Sequence, residues 1–319
     1  MPAGWAAADM PGQHGRTVLV TGANSGIGFQ AALELARHGA VVLLACRDAG
    51  RGGAARGAIV RQVPAAAVEL VALDLADLDS VARLADQVLG RAGGLDLLIN
   101  NAGVMAVPGR QVTAQGFELQ FGTNHLGHFA LTLCLLPVLL ARPGSRVVTV
   151  SSLVHRFGSI RLDDLQGEHG YGRWRAYSQS KLANAMFTLE LDRRLRAAGA
   201  ATISVGAHPG YSHTRLLYSG PNLGGGGIFA RVMGLAAPFT GQPAAQGALP
   251  VLRAATDPEA RGGDYYGPRG PGEGMGAPRK VRYARTARDE QLAYRLWKAS
   301  EVLTGVTFPG LTGHPPAHP

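Results

Sequence analysis

The amino-acid sequence predicts a doubly wound α/β fold, in which helices cover both faces of a mostly parallel sheet within a single domain. Short β-branched and apolar runs alternate with amphipathic stretches through most of the 319 residues. The runs are apolar on successive residues rather than on alternate ones, which is typical of strands buried on both faces. Regular alternation of such strands with helices gives the doubly wound arrangement.

The apolar runs predict six strands, which are Thr17–Val20, Val41–Ala45, Val68–Ala72, Leu95–Asn100, Arg146–Val150 and Ile203–Ala207. The amphipathic stretches between them predict five helices, which are Ile27–His38, Arg51–Gln62, Leu78–Leu89, Gly116–Leu140 and Ala176–Ala198. A closing helical pattern covers Thr286–Leu303 and presents Leu292, Leu296 and Val302 for docking.

The two ends of the chain and one internal segment depart from this alternation. Residues 1–14 and 309–319 are aperiodic and rich in glycine and proline, so we expect both to be flexible. The domain then spans residues 15–308. Residues 211–243 contain GPNLGGGGIF and AAPF, and their position predicts a substrate lid. A surface insertion is an equally good interpretation of so long a loop.

The overall composition limits the classes of protein to which this chain can belong. A hydrophobic share of 46% is enough for a sizeable core, and the net charge is +9. The arginines are scattered, so the charge favours attraction of an anionic ligand over binding of nucleic acid. Cys46 and Cys134 lie inside apolar runs and predict free thiols, with no metal spacing. No apolar run of about 18 residues occurs, so we expect no integral membrane segment and a cytoplasmic location.

A glycine-rich turn follows the first predicted strand as TGANSGIG, residues 21–28. Its glycines are spaced G-x-x-x-G-x-G, which allows a tight turn and lets backbone N–H groups approach a pyrophosphate. The next helix presents its positive N-terminus to that anion. Placement between a strand and a helix makes the motif much stronger than glycine spacing alone. The predicted cofactor contacts in this turn are Gly22, Asn24, Ser25, Gly26, Ile27 and Gly28.

Arg47 follows the second predicted strand, where dinucleotide folds distinguish their cofactors. A carboxylate at this position suits the ribose 2′-hydroxyl of NAD(H), whereas a basic residue suits the 2′-phosphate of NADP(H). Arg47 therefore favours NADP(H) over NAD(H), with Asn24 and Ser25 as candidate helpers. A solvated surface arginine is the alternative, and the adjacent Asp48 is able to accept from a ribose.

The ends of the third and fourth strands carry further candidate cofactor contacts. Asp74 and Leu75 are placed to hold the adenine ring, although Asp74 is also suited to cap the next helix. Asn101, Ala102 and Gly103 combine small residues with an amide, which suits close cofactor contact. A structural Asx turn is the alternative for this segment.

Taken together, these motifs resemble the short-chain dehydrogenase/reductase family from Arg16 to Leu303. The resemblance rests on TGANSGIG, NNAG, a serine–tyrosine–lysine set and HPGYSHT. The phrases FGTNHLGHFALT, VVTVSSLVHRFG, LDDLQGE and AYSQSKLANAMFTLEL are similar to the retinol-dehydrogenase-like reductases, and to light-dependent protochlorophyllide reductases. The resemblance implies a Rossmann-fold oxidoreductase.

Tyr177 and Lys181 form a Y-x-x-x-K pair on a predicted helix, where residues four apart share a face. We expect the ammonium, and the positive charge of an oxidised nicotinamide, to lower the pKa of the phenol so that it exchanges a proton with the substrate oxygen. Lys181 is also expected to hold the nicotinamide ribose. Tyr294 and Lys298 repeat the spacing in the closing helix and are interpreted as a surface pair.

The family resemblance assigns the remaining catalytic roles. Ser152 matches the serine that bonds the carbonyl oxygen and stabilises developing negative charge, and Ser151 is then structural. Asn124 matches the residue whose backbone holds a water connected to Lys181, and a helix-interior residue that bonds locally is the alternative.

The turn His208-Pro209-Gly210 follows the sixth strand. The resemblance places Thr214 on the nicotinamide carboxamide, with Pro209 and Gly210 setting the turn. Three further histidines lack metal-ligand spacing and are interpreted as packing or rim residues, namely His125, His128 and His155.

The resulting prediction is an NADP(H)-dependent enzyme that interconverts an aldehyde or ketone and an alcohol. The apolar lid favours a lipophilic substrate, and the resemblance makes a homodimer a weak expectation. A non-catalytic NADP(H)-binding sensor on the same fold is the alternative, although such proteins commonly lose the tyrosine or lysine. A light-driven pigment reductase is disfavoured because neither cysteine lies in the substrate-side segments.

Overall fold

A computed structural model of the chain describes residues 4–211 and 242–311. Within them, eight strands form one sheet: β1 (Thr17–Thr21), β2 (Val41–Cys46), β3 (Val68–Ala72), β4 (Leu97–Asn100), β5 (Arg146–Val150), β6 (Ile203–Ala207), β7 (Tyr265–Pro268) and β8 (Pro278–Lys280). The spatial order is β3-β2-β1-β4-β5-β6-β7-β8. All neighbours are parallel except β7 and β8, which are antiparallel.

The described helices are α1 (Gly26–Arg37), α2 (Ala49–Gln62), α3 (Leu78–Leu89), α4 (Leu119–Leu140), α5 (Arg173–Ala197), α6 (Ala244–Thr256) and α7 (Glu290–Thr304). Apolar residues of α1, α2 and α6 cover one face of the sheet, and those of α3, α4 and α5 cover the other. The doubly wound α/β prediction is therefore confirmed.

Local capping explains several of the helix starts. The side chain of Asp48 accepts from the Arg51 N–H at the start of α2, and Asp77 does the same for Asp79 at α3. Asp289 accepts from the Leu292 N–H at α7. An aspartate in this position satisfies a backbone donor that the helix itself leaves unpaired.

Three described elements were not predicted from the sequence, namely α6, β7 and β8. The β7 residues read YYGP and the β8 residues read PRK, so both strands are short and contain proline. Proline and glycine in a short run are typical of a turn, and only pairing in the sheet reveals these strands. They extend the sheet beyond β6 and end it in a hairpin.

The N-terminal segment makes contacts with the domain, and its expected flexibility stays a prediction. Residues 7–9 form a 3-10 turn, Met10 and Gln13 are buried, and the Gln13 N–H donates to the carbonyl oxygen of His38 at 2.7 Å. At the other end, Leu311 is buried, and its carbonyl oxygen accepts from Arg194 at 2.9 Å. Both described ends therefore pack against the domain, while residues 1–3 and 312–319 lie outside the described residues.

The helix α4 is long and apolar enough to meet a composition test for crossing a membrane. Its apolar window is nevertheless 78% buried inside the protein. A core helix meets the same test, so this feature is weak evidence for a membrane span. A π-helical turn, Gly122–Leu126, interrupts α4 near its start.

Candidate active site

The predicted site residues gather at the carboxyl ends of the central strands. Winding of the sheet reverses between β1 and β4, and doubly wound sheets bind ligands in the crevice outside the strand ends there. The Lys181 ammonium on α5 donates to the carbonyl oxygen of Val150, the last residue of β5, at 3.2 Å. This bond brings α5 to the same edge of the sheet.

Tyr177, Lys181 and Ser152 form one cluster at this edge. The Ser152 side chain is close enough to the Tyr177 hydroxyl to lower the pKa of the phenol. The Lys181 Nζ atom lies 5.9 Å from the centroid of the Tyr177 ring. Tyr177 and Lys181 are both buried, because their spacing of four places them on one inward face of α5.

Burial shifts the pKa of both ionisable groups in this cluster. It raises the pKa of Tyr177 to about 12, and the nearby Ser152 side chain acts in the opposite direction. Burial also lowers the pKa of Lys181 to about 8. The expected lowering of the phenol pKa is thus not produced by the protein's own residues, because burial penalises the phenolate more than its neighbours stabilise it. The phenol is neutral at neutral pH.

The two serines after β5 have different roles. The Ser152 hydroxyl faces Tyr177, whereas the Ser151 hydroxyl donates to the carbonyl oxygen of Lys181 at 2.7 Å. Ser151 therefore fastens α5 to the end of β5. This arrangement is consistent with the expected division between a catalytic Ser152 and a structural Ser151.

Asn124 lies in the π-helical turn and is fully buried. Its side chain pairs with the backbone of Val104 through two hydrogen bonds of 2.8 and 2.9 Å. Its Nδ2 also donates to the Ser180 hydroxyl at 2.9 Å. These partners lie 20 and 56 residues away, so the alternative of purely local bonding does not describe this residue.

His128 connects Asn124 to the cofactor end of the site, which the sequence interpretation missed. Its Nδ1–H donates to the carbonyl oxygen of Asn124 at 2.9 Å, and its Nε2 lies 2.8 Å from the Thr21 hydroxyl oxygen. Burial lowers the pKa of His128 to about 4, so the ring is neutral and Nε2 accepts. Thr21 in turn accepts from the backbone N–H groups of Asn101 and Ala102.

The glycine-rich turn is closely packed against the segment after β4. A Cβ at Gly22 would lie 2.9 Å from the Ala102 Cα, and a Cβ at Gly28 would lie 2.4 Å from the Asn101 Nδ2. The Asn101 amide donates to the carbonyl oxygen of Thr21 at 2.8 Å. It therefore bridges two strand ends, whereas the alternative was a local Asx turn.

The start of α1 fits a pyrophosphate. Gly26 begins the helix with a φ of 58°, and in the described part of the chain the Ser25 side chain makes no capping bond. The first turn also carries no acidic residue. Its backbone donors therefore lack a competing side chain and are suited to an anion. Asn24, Ser25 and Ile27 are all partly exposed here.

Arg47 is exposed at the end of β2. Among residues 4–211 and 242–311 it has no ion-pair partner, so its guanidinium is available to an anionic group. The neighbouring Asp48 caps α2 through its Oδ1, which accepts from the Arg51 N–H at 2.9 Å. Because Asp48 is engaged in capping, Arg47 is the better placed of the two side chains to contact the ribose end of a cofactor.

Asp74 and Leu75 lie at the end of β3. The Asp74 Oδ1 accepts from the Ala76 N–H at 2.9 Å, and Asp77 rather than Asp74 caps α3. The suggested capping role of Asp74 is therefore wrong. Leu75 is buried, and its carbonyl oxygen lies against Gly127.

Gly103 is packed between Asn124 and Lys181. A Cβ at this position would lie 3.0 Å from the Asn124 Oδ1 and 3.6 Å from the Lys181 Nζ.

The turn after β6 is held by contacts with His208, Gln242 and Glu273, to which the sequence analysis assigned no role. Gly210 has a φ of 65°, and its N–H donates to the His208 Nδ1 at 3.2 Å. The Pro209 carbonyl oxygen accepts from the Gln242 side chain at 2.8 Å. Glu273 bonds the other nitrogen of His208. Thr214 and residues 212–241 of the predicted lid lie outside the described residues.

The second Y-x-x-x-K pair lies elsewhere, on α7. The Tyr294 ring lies 5.7 Å from the Arg194 guanidinium, and Lys298 pairs with Glu301.

Across the part of the chain that the structure describes, no group of three or more His, Cys, Asp or Glu residues is placed to hold a metal. Both cysteines are free, with Cys46 buried and Cys134 half-buried.

Comparison with known proteins identifies the relatives of this chain. The family model described as short chain dehydrogenase matches residues 16–219. Human (Homo sapiens) retinol dehydrogenase 14 is 40% identical over 308 residues, which cover 92% of this chain and 87% of that protein.

Comparison with solved structures also finds proteins similar to this chain. An uncharacterised protein from Mycobacterium paratuberculosis is 47% identical with a TM-score of 0.79, and the match covers 96% of this chain and all of that one. A short chain dehydrogenase of Shigella flexneri, solved in complex with NADP, is 24% identical with a TM-score of 0.61. That match covers 79% of this chain and 96% of the other, and it shows a shared fold.

Proposed function

The chain belongs to the short-chain dehydrogenase family, in its retinol-dehydrogenase-like subgroup, and on that premise we propose that it interconverts a carbonyl compound and an alcohol with NADP(H). Carbonyl–alcohol oxidoreduction follows from the family. The preference for NADP(H), the lipophilic substrate and the individual residue roles are the proposal. The observation that carries it is the cluster of Tyr177, Lys181 and Ser152 at the strand ends, in which Tyr177 and Lys181 are buried.

Tyr177 acts as the acid when the carbonyl is reduced. NADP(H), when bound, supplies or accepts the hydride. The Tyr177 phenol is neutral because burial raises its pKa to about 12, so it has a proton to give to the substrate oxygen. Ser152, which lies close to that phenol, is placed to donate to the same oxygen as negative charge develops.

Lys181 supplies the positive charge beside the phenol. Its ammonium has one described hydrogen bond, to the carbonyl oxygen of Val150, which leaves further donors for a cofactor ribose. The pKa of Lys181 is lowered to about 8 by burial, so the group is mostly charged at pH 7. That charge favours the phenolate that forms during reduction.

One exposed aromatic side chain beside the cluster, and another that follows Ser152 in the sequence, support a lipophilic substrate. The Trp174 ring lies 6.3 Å from the Tyr177 ring in a T-shaped arrangement and is 41% exposed. Phe157, close after Ser152, is 85% exposed. Large exposed apolar groups near a reacting centre are suited to contact an apolar ligand.

The decisive experiment replaces Tyr177 with phenylalanine, which removes the acid and keeps the ring. We expect kcat for NADPH-dependent reduction of hydrophobic aldehydes to fall by about 10²–10⁴-fold, the usual contribution of general acid catalysis. NADPH binding, followed by fluorescence titration, should be retained. Tyr294→Phe is the matched control, because it removes the same hydroxyl from the other Y-x-x-x-K pair.

Two outcomes separate the proposal from its alternative. Unchanged turnover in Tyr177→Phe contradicts the mechanism. A wild-type protein that binds NADPH and reduces none of a broad panel of aldehydes and ketones supports a cofactor-binding sensor on the same fold. The cytoplasmic location, the homodimer and the lack of nucleic-acid binding stay predictions.

A further inference from the structure

Glu273 occupies a position between two segments of the site. It lies in the 3-10 turn Pro271–Glu273 that connects β7 to β8, and its side chain is only 14% exposed. Both of its carboxylate oxygens accept from the Arg156 guanidinium at 2.8 Å. The His208 Nε2 lies 2.9 Å from the same carboxylate.

The two partners of Glu273 belong to different parts of the site. Arg156 lies in the turn Leu153–Phe157, which begins directly after Ser152. His208 directly follows β6 and precedes Pro209 and Gly210. The carboxylate therefore joins the serine segment to the Pro209–Gly210 turn, which lies at the cofactor end of the proposed site.

The hydrogen bonds define the state of the His208 ring. A carboxylate only accepts, so Nε2 carries the proton, and Nδ1 then accepts from the Gly210 N–H at 3.2 Å. The ring is fully buried, and a Cβ at Gly267 would lie 2.1 Å from its Nε2. The ring is thus held in one orientation, with one face against a glycine of β7.

The hairpin that carries Glu273 also holds the next residues of the turn. The carbonyl oxygen of Gly274 accepts from the Tyr211 N–H at 2.8 Å. The Gly276 N–H donates to the Gln242 side chain, whose amide donates to the Pro209 carbonyl oxygen. Glu273 itself has a φ of 56°, a left-handed conformation that residues other than glycine seldom adopt. A glycine would adopt it freely, so the carboxylate is the feature that accounts for a glutamate here.

We propose that Glu273 is a positioning residue for the reaction: its carboxylate fixes the Pro209–Gly210 turn through His208 and the Ser152 segment through Arg156. It thereby sets the distance between the substrate oxygen and the hydride-bearing end of the cofactor. This inference rests on the proposed carbonyl reduction, because it concerns the geometry of that step. Small displacements at a reacting centre are known to cost up to about 10²-fold in rate.

The test uses Glu273→Gln, which keeps the side-chain shape and replaces one acceptor oxygen with an amide. We expect kcat for aldehyde reduction to fall about tenfold or more, with weaker NADPH binding in a fluorescence titration. Glu69→Gln is the matched control, since both oxygens of Glu69 also accept from a single arginine, Arg91, at 2.7 and 2.8 Å on the far edge of the sheet. We expect that variant to retain wild-type kinetics.

A second readout separates positioning from a merely structural role. A displaced hydride donor makes hydride transfer more rate-limiting, so the isotope effect on kcat with deuterated NADPH should rise in Glu273→Gln. If that variant does not fold, Arg156→Lys disrupts the paired hydrogen bonds to Glu273 at a more exposed side chain and leaves the His208 contact in place, so it should show the same changes to a smaller extent. The double variant should be no worse than Glu273→Gln, because loss of the Glu273 carboxylate already disrupts the connection to Arg156.

The outcomes distinguish this inference from the proposed function. A wild-type protein that neither binds NADPH nor reduces carbonyl compounds refutes the proposed function and this inference with it. An active wild type, with Glu273→Gln and Arg156→Lys matching Glu69→Gln in kcat, NADPH affinity and isotope effect, overturns only the role of Glu273.

Discussion

Tyr177 and Lys181 carry opposite charges when ionised, and burial penalises the charged form of each. The pKa of the phenol rises to about 12 and that of the ammonium falls to about 8. As the pH rises, Lys181 therefore loses its proton before Tyr177 does. The protein's own residues thus place a neutral phenol beside an ammonium group whose pKa is lowered. This arrangement suits carbonyl reduction near neutral pH.

At the scale of single residues, the proposed preference for NADP(H) depends on the side chain of Arg47. We expect Arg47→Ala to lower the NADPH-to-NADH ratio of kcat/KM by about 10–100-fold, since a hydrogen bond to a charged group contributes about 1.5–3 kcal/mol. Arg47 has no ion-pair partner in the described ranges, so its loss breaks no ion pair there. Arg83→Ala, an exposed arginine on α3, serves as the control. Equal use of both cofactors by the wild type would refute the assignment.

At the scale of secondary-structure elements, α1 packs closely against the turn after β1 at Gly28. The Gly28 backbone approaches the carbonyl oxygen of Gly22 so that an added Cβ would lie 2.6 Å away. Gly53, within α2, has nothing within 4 Å of an added Cβ and is exposed. The same type of residue is therefore required in one helix and dispensable in the other.

These two glycines give opposite predictions for the same substitution. We expect Gly28→Ala to abolish measurable NADPH binding and to lower the thermal midpoint, because backbone atoms of the turn after β1 must move. We expect Gly53→Ala to stabilise the fold by about 0.5–1 kcal/mol, the helix propensity difference between the two residues. Chemical denaturation and NADPH titration measure both effects. Equal behaviour of the two variants would contradict the packing argument.

Across the whole molecule, buried histidines join elements that are distant in the chain. His125 bonds Ser300 of α7, His128 bonds Thr21 at the end of β1, and the His155 Nε2 accepts from the Ala284 N–H. Burial lowers the pKa of His125 to about 3 and that of both other rings to about 4. All three are neutral in the folded protein.

This arrangement predicts acid sensitivity of the fold. Each ring has a lower pKa when folded than its ordinary value near 6.5, so below that pH the unfolded chain binds more protons and stability falls. The loss begins near pH 6.5 and continues to about pH 4 for His128 and His155, and to about pH 3 for His125. Each ring contributes a slope of at most about 1.4 kcal/mol per pH unit.

Denaturant titrations from pH 7 to pH 4 measure this slope. His155→Gln should flatten it, whereas His14→Gln, at an exposed position, should leave it unchanged. A stability that is constant over this range would show that the buried rings do not govern acid unfolding.

The sequence by itself determined the features that depend on neighbours along the chain. Successive apolar residues gave six of the eight described strands, the glycine spacing gave the start of α1, and a spacing of four paired Tyr177 with Lys181. Only Leu95–Asn100 began two residues early among the strands, since β4 starts at Leu97. Local patterns specify such features because hydrogen bonds and side-chain periodicity act over a few residues.

Only the tertiary structure decided which distant residues meet. The link from Glu273 to Arg156 spans 117 residues, and that from Glu273 to His208 spans 65. The short strands β7 and β8 exist through their pairing, and the raised pKa of Tyr177 exists through its burial. Pairing and desolvation depend on what surrounds a residue in space, and a local sequence pattern carries no record of that surrounding.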